Sequence, residues 1–258
     1  MPVTPDFASS PIAILSALPQ EQRGLVELLQ APRKVRHASR DFWQGELHGH
    51  RVVLALSKIG KIAAATTTTA LIERFCVRRI VFTGVAGGLG PGVKVGDVVV
   101  ATDFVQHDLD ASPLFPRYEV PLYNKTRFSC DPGLSRLLFE ASCTALGNGN
   151  LAAYGFRDAR VHRGLIASGD RFVCGADESR RLLGLMADAG HAVQAVEMEG
   201  AAVAQVCMDY GVPFAVMRTI SDCSDDSAHV DFPNFVETVA SRYAQKIMEI
   251  FLNLLSKK

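Results

Sequence analysis

The chain lacks an excess of charge of either sign. Its 258 residues include 27 Lys and Arg against 27 Asp and Glu, and the basic residues form no dense block. A neutral chain without a basic tract produces no long-range field that would attract nucleic acid or an anionic membrane. The composition therefore predicts no nucleic-acid partner and no membrane partner.

Cysteine is scarce, and long apolar runs are missing. The six cysteines form no Cys-x-x-Cys pair and have no histidine at zinc-finger spacing, so they are interpreted as buried, reduced thiols. No apolar run is long enough to span a bilayer, and residues 1–6 have neither the basic start nor the apolar stretch of a signal peptide. His107 and His229 have no partner at metal-ligand spacing. These absences predict a cytoplasmic protein without a metal.

Short apolar runs alternate with helical segments over most of the chain, of which 48% is hydrophobic. This alternation predicts an α/β fold with a mixed twisted sheet flanked by helices on both faces. Residues 1–10 are expected to form a loose tail, and 11–258 a single domain. The predicted strands are Ile12–Leu18, Phe42–Leu47, Arg51–Leu56, Ile80–Thr83, Val98–Thr102, Val161–Ala167, Ala192–Val196 and Phe214–Thr219. The predicted helices are Gln20–Leu29, Ile62–Phe75, Pro132–Ala145, Gly200–Tyr210 and Phe235–Leu255.

Two irregular segments are expected between these elements. Gly84–Gly88 is interpreted as a glycine-rich turn that closes the strand before it and lets the backbone approach a ligand. Its spacing does not fit the dinucleotide-binding fingerprint. Asp108–Phe128 contains three prolines and is expected to form a long loop, a feature that is usually functional or mobile.

Acidic residues stand where two apolar runs end. Glu197, Met198 and Glu199 follow one run, and Ser221 and Asp222 close the next. Open α/β sheets present their ligand groups at strand ends, and a poorly solvated carboxyl there can stay protonated near neutral pH. The pattern suggests a ribose-binding acid and a proton donor. Taken singly, the acids also fit helix caps or turns, and the methionine fits a core filler.

Eight motifs in this order are similar to those of the 5′-methylthioadenosine/S-adenosylhomocysteine nucleosidases, within the nucleoside phosphorylase superfamily. The resemblance extends from about Ile12 to the C-terminal helix. It implies the three-layer α/β/α fold of that superfamily, hydrolysis of a 5′-alkylthioadenosine to adenine and a thioribose, no cofactor, and a homodimer. The motifs are Ile12–Leu18, Ser57–Lys61, Thr83–Leu89, Val95–Asp97, His107–Asp108, Ser168–Asp170, Val196–Glu199 and Ile220–Asp222.

The resemblance assigns the chemistry to three carboxyl groups. It implies that Asp222, held by Ser221, protonates the adenine leaving group near N7, and that Glu21 activates the attacking water. Two carboxyl groups with a water between them are the arrangement of inverting glycosidases. Glu199 is expected to bind the ribose hydroxyl groups and to stabilise positive charge on the sugar. Members of the family often have three acids in a row where this chain has only Glu21.

The resemblance also implies a set of binding residues. Phe172 is expected to stack on adenine, the backbone of Val173 to pair with its edge, and Met198 to lie against the ribose or base. Leu114 and Phe115 are expected to reach the 5′ end of the nucleoside in the partner subunit of the dimer. The other expected substrate-binding positions are Ile59, Ala86, Gly87 and Phe232. The chain has Val85 where the family often has a serine.

Three other functions remain open at this point. One is a phosphorylase, or a nucleosidase acting on another nucleoside such as inosine, futalosine or AMP. Against a phosphorylase, Glu21 occupies the place where the superfamily's phosphorylases bind an anion. The second is a non-catalytic nucleoside-binding or storage protein on the same fold, and the third is a nucleic-acid binder, which the neutral charge disfavours.

Overall fold

The computed structural model of the chain describes residues 10–147, 156, 158–223, 232 and 235–256. The ten strands are β1 Ile12–Ser16, β2 Gln30–His37, β3 Arg40–Leu47, β4 His50–Leu56, β5 Arg79–Gly88, β6 Val98–Gln106, β7 Phe128–Ser129, β8 Val161–Ser168, β9 Val193–Glu197 and β10 Phe214–Asp222. The helices are α1 Pro19–Glu27, α2 Lys61–Glu73, α3 Pro132–Gly147, α4 Ala176–Asp188, α5 Gly200–Tyr210 and α6 Ser241–Leu255, the last preceded by a π-helical turn over Val236–Ala240.

The strands form one mixed sheet in the order β10-β6-β8-β9-β5-β1-β4-β3-β2, with β7 paired to β6. Strand β5 also pairs with β10, so β5, β10, β6, β8 and β9 close into a ring. Strands β1 and β10 are buried along their whole length. Strands buried along their whole length are typical of a sheet covered on both faces.

Helices cover the two faces of the sheet. On one face, α2 and α5 pack together and contribute to one hydrophobic core. On the other, α1 and α3 pack against α6 and contribute to a second core. Helix α4 covers β8 and β9 through Leu182 and Met186. The predicted three-layer α/β/α architecture is confirmed.

Several predictions about the elements need correction. Gly84–Gly88 is not a turn but the end of strand β5, because β10 and β9 pair with it there. Strand β2 and helix α4 have no counterpart among the sequence predictions. Segment 108–128 is a loop as predicted, although Phe128 already belongs to β7. Apart from Ser10, the predicted N-terminal tail lies outside the described residues.

The cysteines also differ from the prediction. Cys130 and Cys207 are buried, and burial raises the pKa of each thiol far above its ordinary value. The prediction that the cysteines are buried is wrong for the remaining four, which are exposed. They are Cys76, Cys143, Cys174 and Cys223.

No helix among the described residues combines the length and the apolar character that a membrane crossing requires.

Candidate active site

A cavity of about 370 Å³ opens at the carboxyl ends of several strands. The ends of β5 and β9 meet there, since Gly87 pairs with Val196. The end of β10 and the segments that follow β1, β4 and β8 complete the walls. The sheet thus gathers residues that are far apart in the sequence around one space.

Asp222 lies in this cavity at the end of β10, with only 1% of its surface exposed. The register of β10 against β5 shifts between Ile220 and Asp222. A bulge of this kind redirects a side chain, and bulges are frequent beside active sites. The Ser221 hydroxyl donates a hydrogen bond to Asp222 Oδ2 over 2.8 Å, so the carboxyl group is held from the side of its own strand.

Glu21 is buried in the first turn of α1, two residues after Pro19, with which the helix begins. Its Oε2 accepts hydrogen bonds from the N–H groups of Ala17 and Leu18, both at 2.8 Å, and its Oε1 accepts one from Val85 at 3.1 Å. Burial raises the pKa of Glu21, and the N–H donors and the charge of Arg218 offset that effect only in part. A carboxylate with a raised pKa is a stronger base than an exposed one.

Arg218 is fully buried beside Glu21. Its Nη2 donates to Glu197 Oε2 at 2.7 Å, and its Cζ lies 3.9 Å from the centroid of the Phe82 ring. Its Nη1 and Nε have no hydrogen-bond partner among the residues that the structure describes. A Cβ on Gly84 would lie 3.0 Å from Nη1 and 3.1 Å from Glu21 Oε1. Glycine at this position therefore leaves room for a cation and a carboxyl group side by side.

The two glutamates that flank Met198 have different environments. Glu197 accepts hydrogen bonds from Arg218, from the Ser168 hydroxyl and from the N–H of Gly200, so it serves the local structure. Glu199 accepts one from the N–H of Gly60 at 2.9 Å. Burial, and then the neighbouring Glu197 charge, raise the pKa of Glu199. Because Gly60 is the one donor to it among the described residues, the Glu199 carboxyl group has hydrogen-bonding capacity left for a ligand.

Apolar side chains form the rest of the wall. The rings of Phe172 and Phe232 meet edge to face, with centroids 5.5 Å apart. Phe172 and Ile59 are 40% and 57% exposed, whereas Val173 is buried. An exposed aromatic ring beside buried carboxyl groups provides a flat surface on which a nucleobase can stack. The apolar surroundings also strengthen the electrostatic interactions between charged groups in the cavity.

Eleven of the thirteen predicted site residues line this one cavity. They are Asp222, Glu21, Glu199, Met198, Phe172, Val173, Ile59, Ala86, Gly87, Ser221 and Phe232. Leu114 and Phe115 do not line it, and Leu114 is 84% exposed. They are expected in the cavity of a partner subunit, which a single chain does not test.

Other lining residues were not singled out from the sequence. They include Ala17 and Leu18, whose N–H groups hold Glu21, and Arg171, which pairs with Glu178 at 2.9 Å. Nothing in a sequence pattern marks a backbone donor. Arg218, by contrast, is expected from the sequence to be an ion-pair partner of a nearby acid, because it lies inside an apolar strand, and its partner is Glu197.

No group of three or more His, Cys, Asp or Glu residues in the described part of the chain is placed to hold a metal ion. His107 is half-buried beneath Gly169, and desolvation lowers its pKa. His229 lies outside the described residues. The absence of a metal stays a prediction.

Comparison with known proteins places this arrangement in a family. Residues 11–255 match the model of the phosphorylase superfamily. The 5′-methylthioadenosine/S-adenosylhomocysteine nucleosidase of Anoxybacillus flavithermus is 35% identical over 246 residues, which cover 95% of this chain and 99% of the relative.

Solved structures give the same picture. The nucleosidase of the same name from Neisseria meningitidis, in complex with methylthio-immucillin-A, is 36% identical, with a TM-score of 0.82 over 95% of this chain and 99% of that one. The futalosine hydrolase of Helicobacter pylori strain 26695 is 31% identical, also with a TM-score of 0.82, over 95% of this chain and 98% of that one.

Proposed function

This chain belongs to the phosphorylase superfamily and, within it, to the 5′-methylthioadenosine/S-adenosylhomocysteine nucleosidases, and we propose that its cavity hydrolyses the N-glycosidic bond of those nucleosides. The products are adenine and the corresponding 5-thioribose. The observation that carries the proposal is that Asp222, Glu21 and Glu199 line one cavity with an aromatic wall. Each of the three supplies one function that the hydrolysis of such a bond requires.

Asp222 supplies the proton for the leaving group. Cleavage between N9 of adenine and C1′ of the ribose leaves an electron pair on the base, and an adenine anion is a poor leaving group. A protonated carboxyl group near N7 neutralises that pair as the bond breaks. The hydrogen bond from Ser221 keeps the Asp222 side chain in one orientation during this transfer.

Glu21 and Arg218 handle the water. Glu21 accepts the proton that water loses as its oxygen attacks C1′, and its raised pKa makes it the stronger base. The Arg218 Nη1 and Glu21 Oε1 atoms both lie next to Gly84, so a donor and an acceptor stand together on this side of the cavity. A water molecule can donate a hydrogen bond to Glu21 Oε1 and accept one from Arg218 Nη1.

Glu199 binds the ribose. In its ionised form, which the positive charge developing on the sugar favours, its carboxylate accepts hydrogen bonds from the 2′- and 3′-hydroxyl groups and stabilises that charge. Phe172 stacks on adenine, and the backbone of Val173 pairs with the edge of the base. The apolar side chains of Ile59, Met198 and Phe232 complete the binding surface for the nucleoside.

A homodimer would complete the cavity at its open side. Ile59 and Ile62 are 57% and 82% exposed near the start of α2, and Leu114 and Leu122 are 84% and 88% exposed in the loop before β7. Large apolar side chains exposed in this way favour an interface between subunits. Leu114 and Phe115 of one subunit would then cover the 5′ substituent bound in its partner.

The test is adenine release from 5′-methylthioadenosine and S-adenosylhomocysteine, with and without phosphate. Hydrolysis gives equal rates in both conditions and a free sugar. A requirement for phosphate, with a sugar 1-phosphate as product, would contradict the proposal and indicate a phosphorylase. Binding of both nucleosides without turnover would indicate a non-catalytic nucleoside-binding protein.

Futalosine is a second candidate substrate, because the futalosine hydrolase of Helicobacter pylori has the same fold and similar identity to this chain. Futalosine added as a third substrate to the same assay distinguishes the two. A kcat/KM for futalosine above that for 5′-methylthioadenosine would assign the cavity to futalosine.

A further inference from the structure

Three charged residues beside the cavity form a closed ring of hydrogen bonds. Lys61 Nζ donates to Asp108 Oδ1 at 2.6 Å, and the N–H of Asp170 donates to Asp108 Oδ2 at 2.8 Å. The ring closes where the N–H of Lys61 donates to Asp170 Oδ1 at 2.7 Å. None of the three lines the cavity, yet two of them adjoin segments that do: Ile59 lies two residues before Lys61, and Phe172 two residues after Asp170.

The ring determines the position of Gly60. A Cβ on Gly60 would lie 3.2 Å from Asp170 Oδ1, and the Gly60 φ of +95° is one that other residues rarely adopt. The N–H of the next residue, Lys61, is held by that same Asp170 oxygen. The backbone at residues 60 and 61 is thus tied to the segment after β8.

Gly60 in turn holds Glu199. Its N–H donates to Glu199 Oε1 at 2.9 Å, and it is the one hydrogen-bond donor to that carboxyl group among the described residues. Glu199 stands at the start of α5, with its neighbour Glu197 fully engaged by other donors. The direction in which the Glu199 carboxyl group points therefore depends on where the Gly60 N–H lies.

The ring is charged and partly shielded from water. The side chains of Lys61 and Asp108 are 16% and 31% exposed, and Lys61 Nζ also donates to Gln106 Oε1 at 3.0 Å. Burial opposes ionisation of Asp108, but the hydrogen bonds from Lys61 and Asp170 outweigh it and lower the pKa of Asp108. Charge-assisted hydrogen bonds in such surroundings are stronger than those between neutral groups.

We propose that Lys61, Asp108 and Asp170 are positioning residues, which act through the Gly60 N–H to orient the Glu199 carboxylate toward the ribose hydroxyl groups. The inference rests on the proposed function to the extent that Glu199 binds ribose. The ring touches no part of the nucleoside. Its removal affects the reaction because Glu199 then samples orientations in which it does not meet the hydroxyl groups.

A double-mutant cycle tests this dependence on Glu199. Asp108→Ala is expected to lower kcat/KM for 5′-methylthioadenosine about tenfold in the wild-type background, and less than twofold in a Glu199→Gln background. The matched control is Asp41→Ala. It removes the ion pair between Asp41 on β3 and Lys34 on β2, whose N–O distance of 2.7 Å is similar. The control is expected to leave kcat/KM unchanged in both backgrounds.

A binding measurement tests the same inference without turnover. In an Asp222→Asn background, calorimetry compares the binding of 5′-methylthioadenosine with that of adenine, which has no ribose. Asp108→Ala should weaken binding of the nucleoside about tenfold and of adenine less than twofold. If Asp108→Ala does not fold, Asp108→Asn removes the charge with a smaller change in shape and is expected to shift both measurements in the same direction.

Two results would overturn the inference. One is an equal fold loss of kcat/KM from Asp108→Ala in the wild-type and the Glu199→Gln backgrounds. Such a result would indicate a general structural defect, whose effect does not depend on Glu199. The other is equal weakening of nucleoside and adenine binding. Failure of the proposed function would be seen separately, as a wild-type protein that binds the nucleoside without releasing adenine, and the calorimetric comparison would still decide the role of the ring.

Discussion

Arg218 and Glu197 form an ion pair inside the sheet. Arg218 Nη2 lies 2.7 Å from Glu197 Oε2, and the two side chains are 1% and 3% exposed. Charges are costly to bury unless each is paired and hydrogen-bonded, and Glu197 meets that requirement with donors from Ser168 and Gly200 as well. The pair connects the end of β9 with the middle of β10, and both strands contribute to the cavity.

Loss of this pair should destabilise the fold. Glu197→Gln leaves the buried guanidinium without its closest counter-charge and is expected to lower the free energy of unfolding by about 3 kcal/mol. Urea unfolding measures the change. The control is Glu237→Gln, which breaks the exposed Arg23–Glu237 pair and should change stability little. Equal stability of the two variants would contradict this prediction.

Asp222→Asn should abolish the proton donor and preserve the fold. The two side chains are nearly isosteric, and an asparagine oxygen can still accept the hydrogen bond from Ser221. Adenine release is expected to fall about 10² to 10⁴-fold, the usual contribution of a positioned acid. Asp188→Asn, at an exposed position, is the control. Turnover close to wild type in a folded Asp222→Asn protein would exclude Asp222 as the acid.

Glu21→Gln should impair hydrolysis more than binding. The amide is a poor base, so kcat is expected to fall about 10² to 10⁴-fold, while KM changes by less than about threefold. Steady-state kinetics separate the two parameters, and an unchanged melting temperature near neutral pH excludes unfolding. A loss confined to KM would show that Glu21 binds the nucleoside and does not activate water.

Glu199 should make stability depend on pH. Its pKa is raised from 4.5 to about 8, so the folded chain holds this proton more tightly than the unfolded chain. The contribution of this proton to the free energy of unfolding is fully present below pH 4.5 and is lost as the pH rises toward 8. Relative to wild type, Glu199→Gln should therefore gain stability between pH 5 and 8, by at most about 1.4 kcal/mol per pH unit.

Urea unfolding at pH 5, 6.5 and 8 measures this difference. The control is Glu46→Gln, a change at an exposed glutamate, which should show no such trend. A constant difference between Glu199→Gln and wild type across the range would mean that Glu199 is ionised throughout.

Leu114, in the loop before β7, should matter only through a second subunit. Leu114→Glu places a charge on a side chain that is 84% exposed in one chain, so the fold of the single chain should tolerate it. In the proposed dimer the same change is expected to weaken association and to raise KM for 5′-alkylthio nucleosides. Light scattering with kinetics checks both effects, with Leu28→Glu as the control. A wild-type monomer with full activity would refute the dimer.

Much of the fold could be predicted from the sequence because burial leaves a local record. A strand covered on both faces is mostly apolar, and β1 and the first four residues of β10 are apolar enough to be recognised. Strand β2 leaves no such record, since its residues are mostly exposed and its conformation comes from pairing with β3. Gly84–Gly88 likewise has the composition of a turn and becomes a strand only because β10 and β9 flank it.

The candidate site divides in the same way. The sequence alone determined the types of the reacting groups and their place at strand ends, because the acids stand beside recognisable apolar runs. Tertiary structure decided what holds them: Val85 donates to Glu21 across 64 residues, Gly60 to Glu199 across 139, and Lys61 to Asp170 across 109. Such hydrogen bonds depend on distance and direction between segments that meet only when the sheet has formed. No local pattern of residue types encodes that geometry, so only the folded chain reveals it.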